Sequence, residues 1–173
     1  MRVPRIALLL LVAISMVVGT NATLMAAVDE PPESIRPVAG SLDVHQLPGG
    51  TFSVEDRVFQ YRDYVMAGSS HHVSDPSLNG YLVADWNWDV QASGDRPVPA
   101  WGEITIAGPE GTWSGSFSGI RPSDFQPVDV RAMLFGDGAY EGLCATLDIS
   151  AIELGFDGTW VVDGVIHPVD MVG

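Results

Sequence analysis

Residues Gly136-Asp-Gly-Ala-Tyr-Glu-Gly-Leu-Cys-Ala-Thr-Leu-Asp-Ile-Ser150 constrain the fold of this chain more than any other stretch. A glycine-rich corner passes directly into a two-residue alternation. Leu143, Ala145, Leu147 and Ile149 fall on one side, and Cys144, Thr146, Asp148 and Ser150 on the other. A period of two belongs to a β-strand with one face buried and one face wet.

The pattern recurs along the chain. A first strand is expected near Val38–Val44, and strand-prone residues fill Arg57 to Ala67. From Leu78 to Gln91, Leu82, Ala84, Trp86, Trp88 and Val90 face one way, while Tyr81, Val83, Asp85, Asn87 and Asp89 face the other. Trp101–Ala107, Gly111–Gly119, Val128–Phe135 and Gly158–His167 read as further strands, separated by turns such as Gly108-Pro-Glu-Gly111. No stretch beyond the leader carries a helical period. About eight strands at this spacing predict an all-β protein. Glycines at the strand corners favour an eight-stranded antiparallel closed barrel over a flat sandwich, and closure removes the exposed edges. A barrel of that size is filled by side chains or holds one small ligand. Gly115, set between Trp113 and Phe117 on one face, marks a place where a neighbouring ring or backbone comes close.

The start of the chain has a different character. Arg2 and Arg5 precede an apolar run from Ile6 to Val18, followed by small residues at Thr20-Asn-Ala22 and Met25-Ala-Ala27. This describes a secretory signal-peptide helix over residues 1–27, short and polar at its end for a spanning helix; an uncleaved anchor is the alternative, since no charge follows Arg5 until Asp29. Cleavage is expected to leave an exported protein, secreted, periplasmic or at the cell surface, with no stable membrane span. Residues 28–50 hold Pro31, Pro32, Pro37, Pro48 and the Gly49-Gly50 pair, and read as a flexible stem around the first strand. Residues 51–173 then form the barrel domain.

Composition excludes some partners. Of 173 residues, 22 are acidic and 8 basic, all of the latter arginine, for a net charge of −14. Phosphate backbones and anionic membrane surfaces need a positive footprint, so nucleic acid is not an expected partner. The single cysteine, Cys144, cannot close a loop within the chain and reads as a small strand residue; an intermolecular bridge or a reactive thiol is the alternative.

Ser74-Asp-Pro76, Gly80, Trp101-Gly102, Gly111-Thr-Trp-Ser-Gly115 and Gly136-Asp-Gly-Ala-Tyr-Glu-Gly-Leu143 follow one another in an order that resembles a group of secreted bacterial proteins. These are related in turn to the allene oxide cyclase-like and dirigent-like β-barrels. The resemblance spans roughly the last hundred residues and rests on glycine and tryptophan corners. It implies an eight-stranded antiparallel barrel with a central cavity. It implies no catalytic residue, since no catalytic motif of those families matches this chain.

The candidate site residues follow from parity. Trp86, Trp88, Trp113 and Phe117 lie on inward faces and are expected either to line a pocket for a small, largely apolar molecule or to be core. Glu141 shares the parity of Leu143. Pointing into the cavity mouth, it would serve as the acid or base of an isomerase- or cyclase-type enzyme. Its plainer roles are to cap the Gly136–Gly142 corner or to pair with an arginine such as Arg131. His71 and His72 are adjacent and point to opposite strand faces, and with His45 and His167 they show no ligand spacing, so no metal site is expected. No cofactor fingerprint is present: Gly136, Gly138 and Gly142 do not match the dinucleotide spacing. Three functions remain, in this order: a binder of a small apolar ligand, a structural or interaction barrel with a filled core, and an enzyme using Glu141. The oligomeric state is left open.

Overall fold

The structure is a computed structural model that describes residues 35–93, 96–121, 128–152 and 157–171. The leader, with its expected helix, and residues 28–34 of the stem lie outside the described residues. Among the described residues there are nine strands: β1 (Arg36–Gln46), β2 (Thr51–Glu55), β3 (Val58–Val73), β4 (Tyr81–Gln91), β5 (Val98–Ala107), β6 (Gly111–Arg121), β7 (Asp129–Gly138), β8 (Leu143–Ala151) and β9 (Gly158–Pro168). Among the described residues there is no α-helix, only two 3-10 turns, and no helix long and apolar enough to cross a membrane.

All pairings are antiparallel, in the order β1-β9-β8-β7-β6-β5-β4-β3-β2, and a further β1–β3 pairing closes the ring. Eight strands therefore form the closed barrel, and β2 lies outside it. The long strand β3 makes this possible by serving two partners. Its first part pairs with β2, from Val58 opposite Glu55 to Arg62 opposite Thr51. Its second part pairs with β1, from Met66 opposite Gln46 to Val73 opposite Gly40. Between them the β3–β4 register shifts from Tyr61 to Tyr64, and Asp63 takes φ 57. Such a bulge bends a strand sharply. Here it lets β3 leave the barrel wall and carry β2 with it, giving a three-stranded apron of β2, the start of β3 and the end of β4.

The alternation read from β8 holds: Leu143, Ala145, Leu147 and Ile149 are buried. Val38, Leu42 and Val44 of β1 are buried as well. β1 lies between β9 and β3, which corrects the stem: within 28–50, residues 36–46 are barrel wall. Pro37 is the second residue of β1 and Pro48 lies just beyond its end, where a ladder tolerates proline; Pro31 and Pro32 lie outside the described residues. Inside, Gly115 comes so close to β7 that a Cβ there would collide with the Met133 carbonyl oxygen. The glycine is a close-approach site between two inward rings, Trp113 and Phe117.

One end of the barrel, where the β3–β4, β5–β6 and β7–β8 connections lie, is sealed. The Pro76–Leu78 turn lays Leu78 into the core. Asp75 caps it, its Oδ1 accepting from the Ser77 amide at 2.9 Å and the Ser77 hydroxyl at 2.6 Å, while Oδ2 pairs with Arg36 at 3.2 Å. The buried Ser70 hydroxyl donates to the Leu78 carbonyl and accepts from the Gly80 amide at 2.9 Å. The Ser70 hydroxyl and the Asp75 carboxylate are thus paired, as a low-dielectric interior requires, while Arg36 Nε is buried without a hydrogen-bond partner.

Candidate functional site

The four aromatic residues expected to share a pocket reach three different places. Trp113 belongs to the sealed end, where its indole N–H donates to the Ser77 carbonyl at 2.8 Å and its ring stacks on Tyr140 at 5.3 Å. Trp86 and Phe117 meet in the barrel interior at 4.3 Å, with Trp160 at 5.2 Å from Trp86. Trp88, two residues beyond Trp86 and of the same parity, lies at the barrel rim, where it stands between Ala100 of β5 and Tyr61 of the apron and packs against the edge of the core. Among the described residues, side chains occupy the barrel axis. The space left among Leu42, Met66, Trp86, Phe117, Val130 and Trp160 amounts to about 20 Å³. That is roughly the room of one water, and its walls are apolar, so even a water gains nothing there.

Glu141 does not point inward. β8 begins at Leu143, and Gly142 takes φ 84, which breaks the strand before Glu141 is reached. Glu141 sits exposed on the turn between β7 and β8. Arg131, its suggested partner, forms instead a two-pronged pair with Asp148 across the β7–β8 ladder, at 2.7 and 2.9 Å. The hydrogen bond from Arg131 holds the Asp148 carboxyl below its ordinary range. Tyr140, beside Glu141, is buried, and burial raises its phenol, with the Glu110 and Asp75 charges adding to the effect. It faces Trp113 as part of the seal.

The remaining reactive side chains are scattered. Cys144 faces outward in the barrel wall yet is fully buried, between Phe135 of β7 and His167 of β9 in register. Burial raises its thiol, and a hydrogen bond with Thr146 partly offsets this. His71 and His72 are exposed, His72 lying 3.7 Å from Asp43. Among the described residues no group of three or more histidine, cysteine or acidic side chains is placed to hold a metal.

What the structure does gather is the aromatic face of the apron. Val54 lies opposite Phe59 and Phe52 opposite Tyr61 across the β2–β3 ladder; Phe59 lies opposite Val90 and Tyr61 opposite Trp88 across β3–β4. These six side chains share one face. Tyr61 stacks on Trp88 with centroids 4.7 Å apart and planes within 8°. Phe52 contacts Tyr61 at 5.1 Å and Phe59 at 6.0 Å, and Tyr64 closes on Trp88 at 4.8 Å. On the opposite face Arg62 clamps the apron to the barrel. Its guanidinium pairs with Asp89 at 2.7 Å, donates to the Tyr61 and Trp88 carbonyls and lies 4.9 Å over the Trp101 ring. Towards its free margin the apron is bare: Phe52 is 54% exposed and Val54 56%. Exposed apolar side chains that adjoin one another, unlike single ones, mark places where proteins meet something. The Thr-Phe-Ser-Val-Glu alternation at 51–55 carried this signal in the sequence. No protein-family model matches the chain, and neither does any curated protein.

Proposed function

We propose that this protein is an exported β-barrel that acts as an interaction module, through its surface and not through a ligand held inside. The filled barrel axis supports this reading above all else: about 20 Å³ between Trp86, Phe117 and Trp160 has no room for an apolar molecule of any size. The basic-then-apolar start of the chain supports export. The eight-stranded closed order is the architecture that kinship with the allene oxide cyclase-like and dirigent-like barrels implies, and it favours a place for this chain among them as a filled relative. The apron, with its bare Phe52 and Val54, is the working surface.

The test is native mass spectrometry of the purified protein, with its tryptophan emission followed as a long-chain fatty acid is added. The expected result is a chain free of adduct and an emission spectrum that does not move. A stoichiometric adduct, with emission changed by one fatty acid per chain, would return the function to the barrel interior.

A further inference from the structure

The margin of β2 is a place where the fold leaves backbone groups unanswered. Among the described residues β2 ends the strand order and pairs only with β3, and all five of its residues are exposed. It carries no proline, no lysine and no bulge, and its one charged residue, Glu55, stands at its end beside the turn.

The hairpin turn settles which groups face outward. Glu55 lies opposite Val58, so Asp56 and Arg57 form a two-residue loop, and their φ values of 46° and 65° are those of a type I′ turn. In such a hairpin the residues flanking the loop exchange both backbone hydrogen bonds, and bonded and non-bonded pairs then alternate along the ladder. Glu55, Ser53 and Thr51 therefore bond inward to β3. Phe52 and Val54 turn their N–H and C=O groups to the open margin.

From this register the geometry points to a second copy of the chain as the occupant, with the two β2 strands pairing antiparallel across a two-fold axis at Ser53. That inference rests on the surface-acting reading above and names its partner. In this register Phe52 bonds Val54 of the partner subunit at each end of the pair, so every outward N–H and C=O of both residues is used. A shift that centres the axis on Phe52 or on Val54 leaves some of them unmatched. Side chains agree with the backbone. Phe52 and Val54 meet on the aromatic face, an aromatic and β-branched contact of the kind that stabilises sheets. On the other face Ser53 meets Ser53 of the partner subunit and Thr51 meets Glu55 of the partner subunit, so no two like charges are opposed. A patch that matches its own image in this way is what an isologous dimer uses. The product is a six-stranded sheet joining two barrels, with one continuous aromatic face.

Sedimentation velocity on the purified protein over a wide concentration range tests the pairing. Val54→Pro removes an outward donor while sparing the β2–β3 bonds, and is expected to abolish the dimer with the circular dichroism spectrum unchanged. Thr51→Glu and Thr51→Lys give a readout that poor folding cannot imitate. Within one chain Thr51 faces Arg62, so glutamate there favours the hairpin and lysine opposes it. Across the dimer it faces the partner's Glu55, and the signs reverse. The dimer dissociation constant is expected to rise roughly two- to thirtyfold in Thr51→Glu and to fall in Thr51→Lys. A protein that stays monomeric at every concentration overturns the pairing and leaves the surface reading standing. So does a dimer indifferent to Val54→Pro, or one that Thr51→Glu tightens. A fatty-acid adduct in the same sample overturns the surface reading and the pairing that rests on it.

Discussion

Trp86 and Trp88 sit two residues apart on one strand and point to the same face, yet one is core and the other is half-exposed on the apron. The difference lies in what stands opposite. Inside the barrel the wall curls back, so Trp86 finds Phe117 and Trp160 across the axis. At the rim the opposite wall falls away, and Trp88 packs against the edge of the core and against Tyr61 and Tyr64 of its own sheet. The two regions share strands and residue types, and a one-residue shift in the β3–β4 register lies between them. Closure separates a stability-bearing cluster from a face whose margin, at Phe52 and Val54, is exposed.

Truncating one ring in each region gives the largest contrast. Trp113→Ala removes a fully buried ring together with its hydrogen bond to Ser77. It is expected to cost about 3–5 kcal/mol in chemical denaturation. Trp88→Ala loses ring contacts on a half-exposed sheet and is expected to cost about 1–2 kcal/mol. Equal losses would mean that the apron is as much core as the barrel, and the comparison would break.

A smaller effect is confined to the apron. Arg57 holds a left-handed φ that costs a non-glycine residue roughly 1–2 kcal/mol, offset in Arg57→Gly by roughly 0.5–1 kcal/mol of added chain entropy. The substitution is expected to stabilise the hairpin by about 0.5–1 kcal/mol. Amide exchange should slow at residues 53–60 and stay unchanged in β6–β8. Slower exchange throughout would show that apron and barrel open together.

The smallest effect belongs to the barrel exterior. The folded Asp148 carboxyl lies below its ordinary value because Arg131 donates to it. Its contribution to stability is therefore complete above the ordinary carboxylate range, near pH 4, and is lost as pH falls through the depressed folded value. Asp148→Asn should flatten the acid limb of the stability curve slightly, the pair being solvent-screened. An unchanged acid limb in this variant would show that the pair contributes nothing.

The barrel was legible because a period of two runs unbroken through most of its wall: β4 to β9 all lie where their alternation puts them. Two strands were harder to see. β1 hides among Pro37, Pro48 and Gly40: Val38, Leu42 and Val44 keep one parity, but Gly40 interrupts their inward row with no side chain to mark it. β2 is short and ends in Asp56-Arg57, a type I′ turn without the glycine that usually announces one. The candidate site was less legible still. Parity placed Trp86 and Trp88 on one face and carried Glu141 along with Leu143. It contains nothing about where a rim falls, or about a glycine at φ 84 that ends the strand. How far apart Trp113 and Phe117 end up is likewise a matter of tilt and closure, which no window of sequence reports.

The strand order also sets a timetable. Every neighbouring pair from β2 to β9 joins consecutive strands, but β1 leans on β9, with Arg36 opposite Ile166, and on the far part of β3. The ribosome makes β1 first and its chief neighbour last. Val38, Leu42 and Val44 must wait, uncovered on that side, until residues 158–166 have been made. Ring completion is then a late, long-range event of the kind that slows folding. A helper protein engaging the nascent chain would find its natural grip on β1.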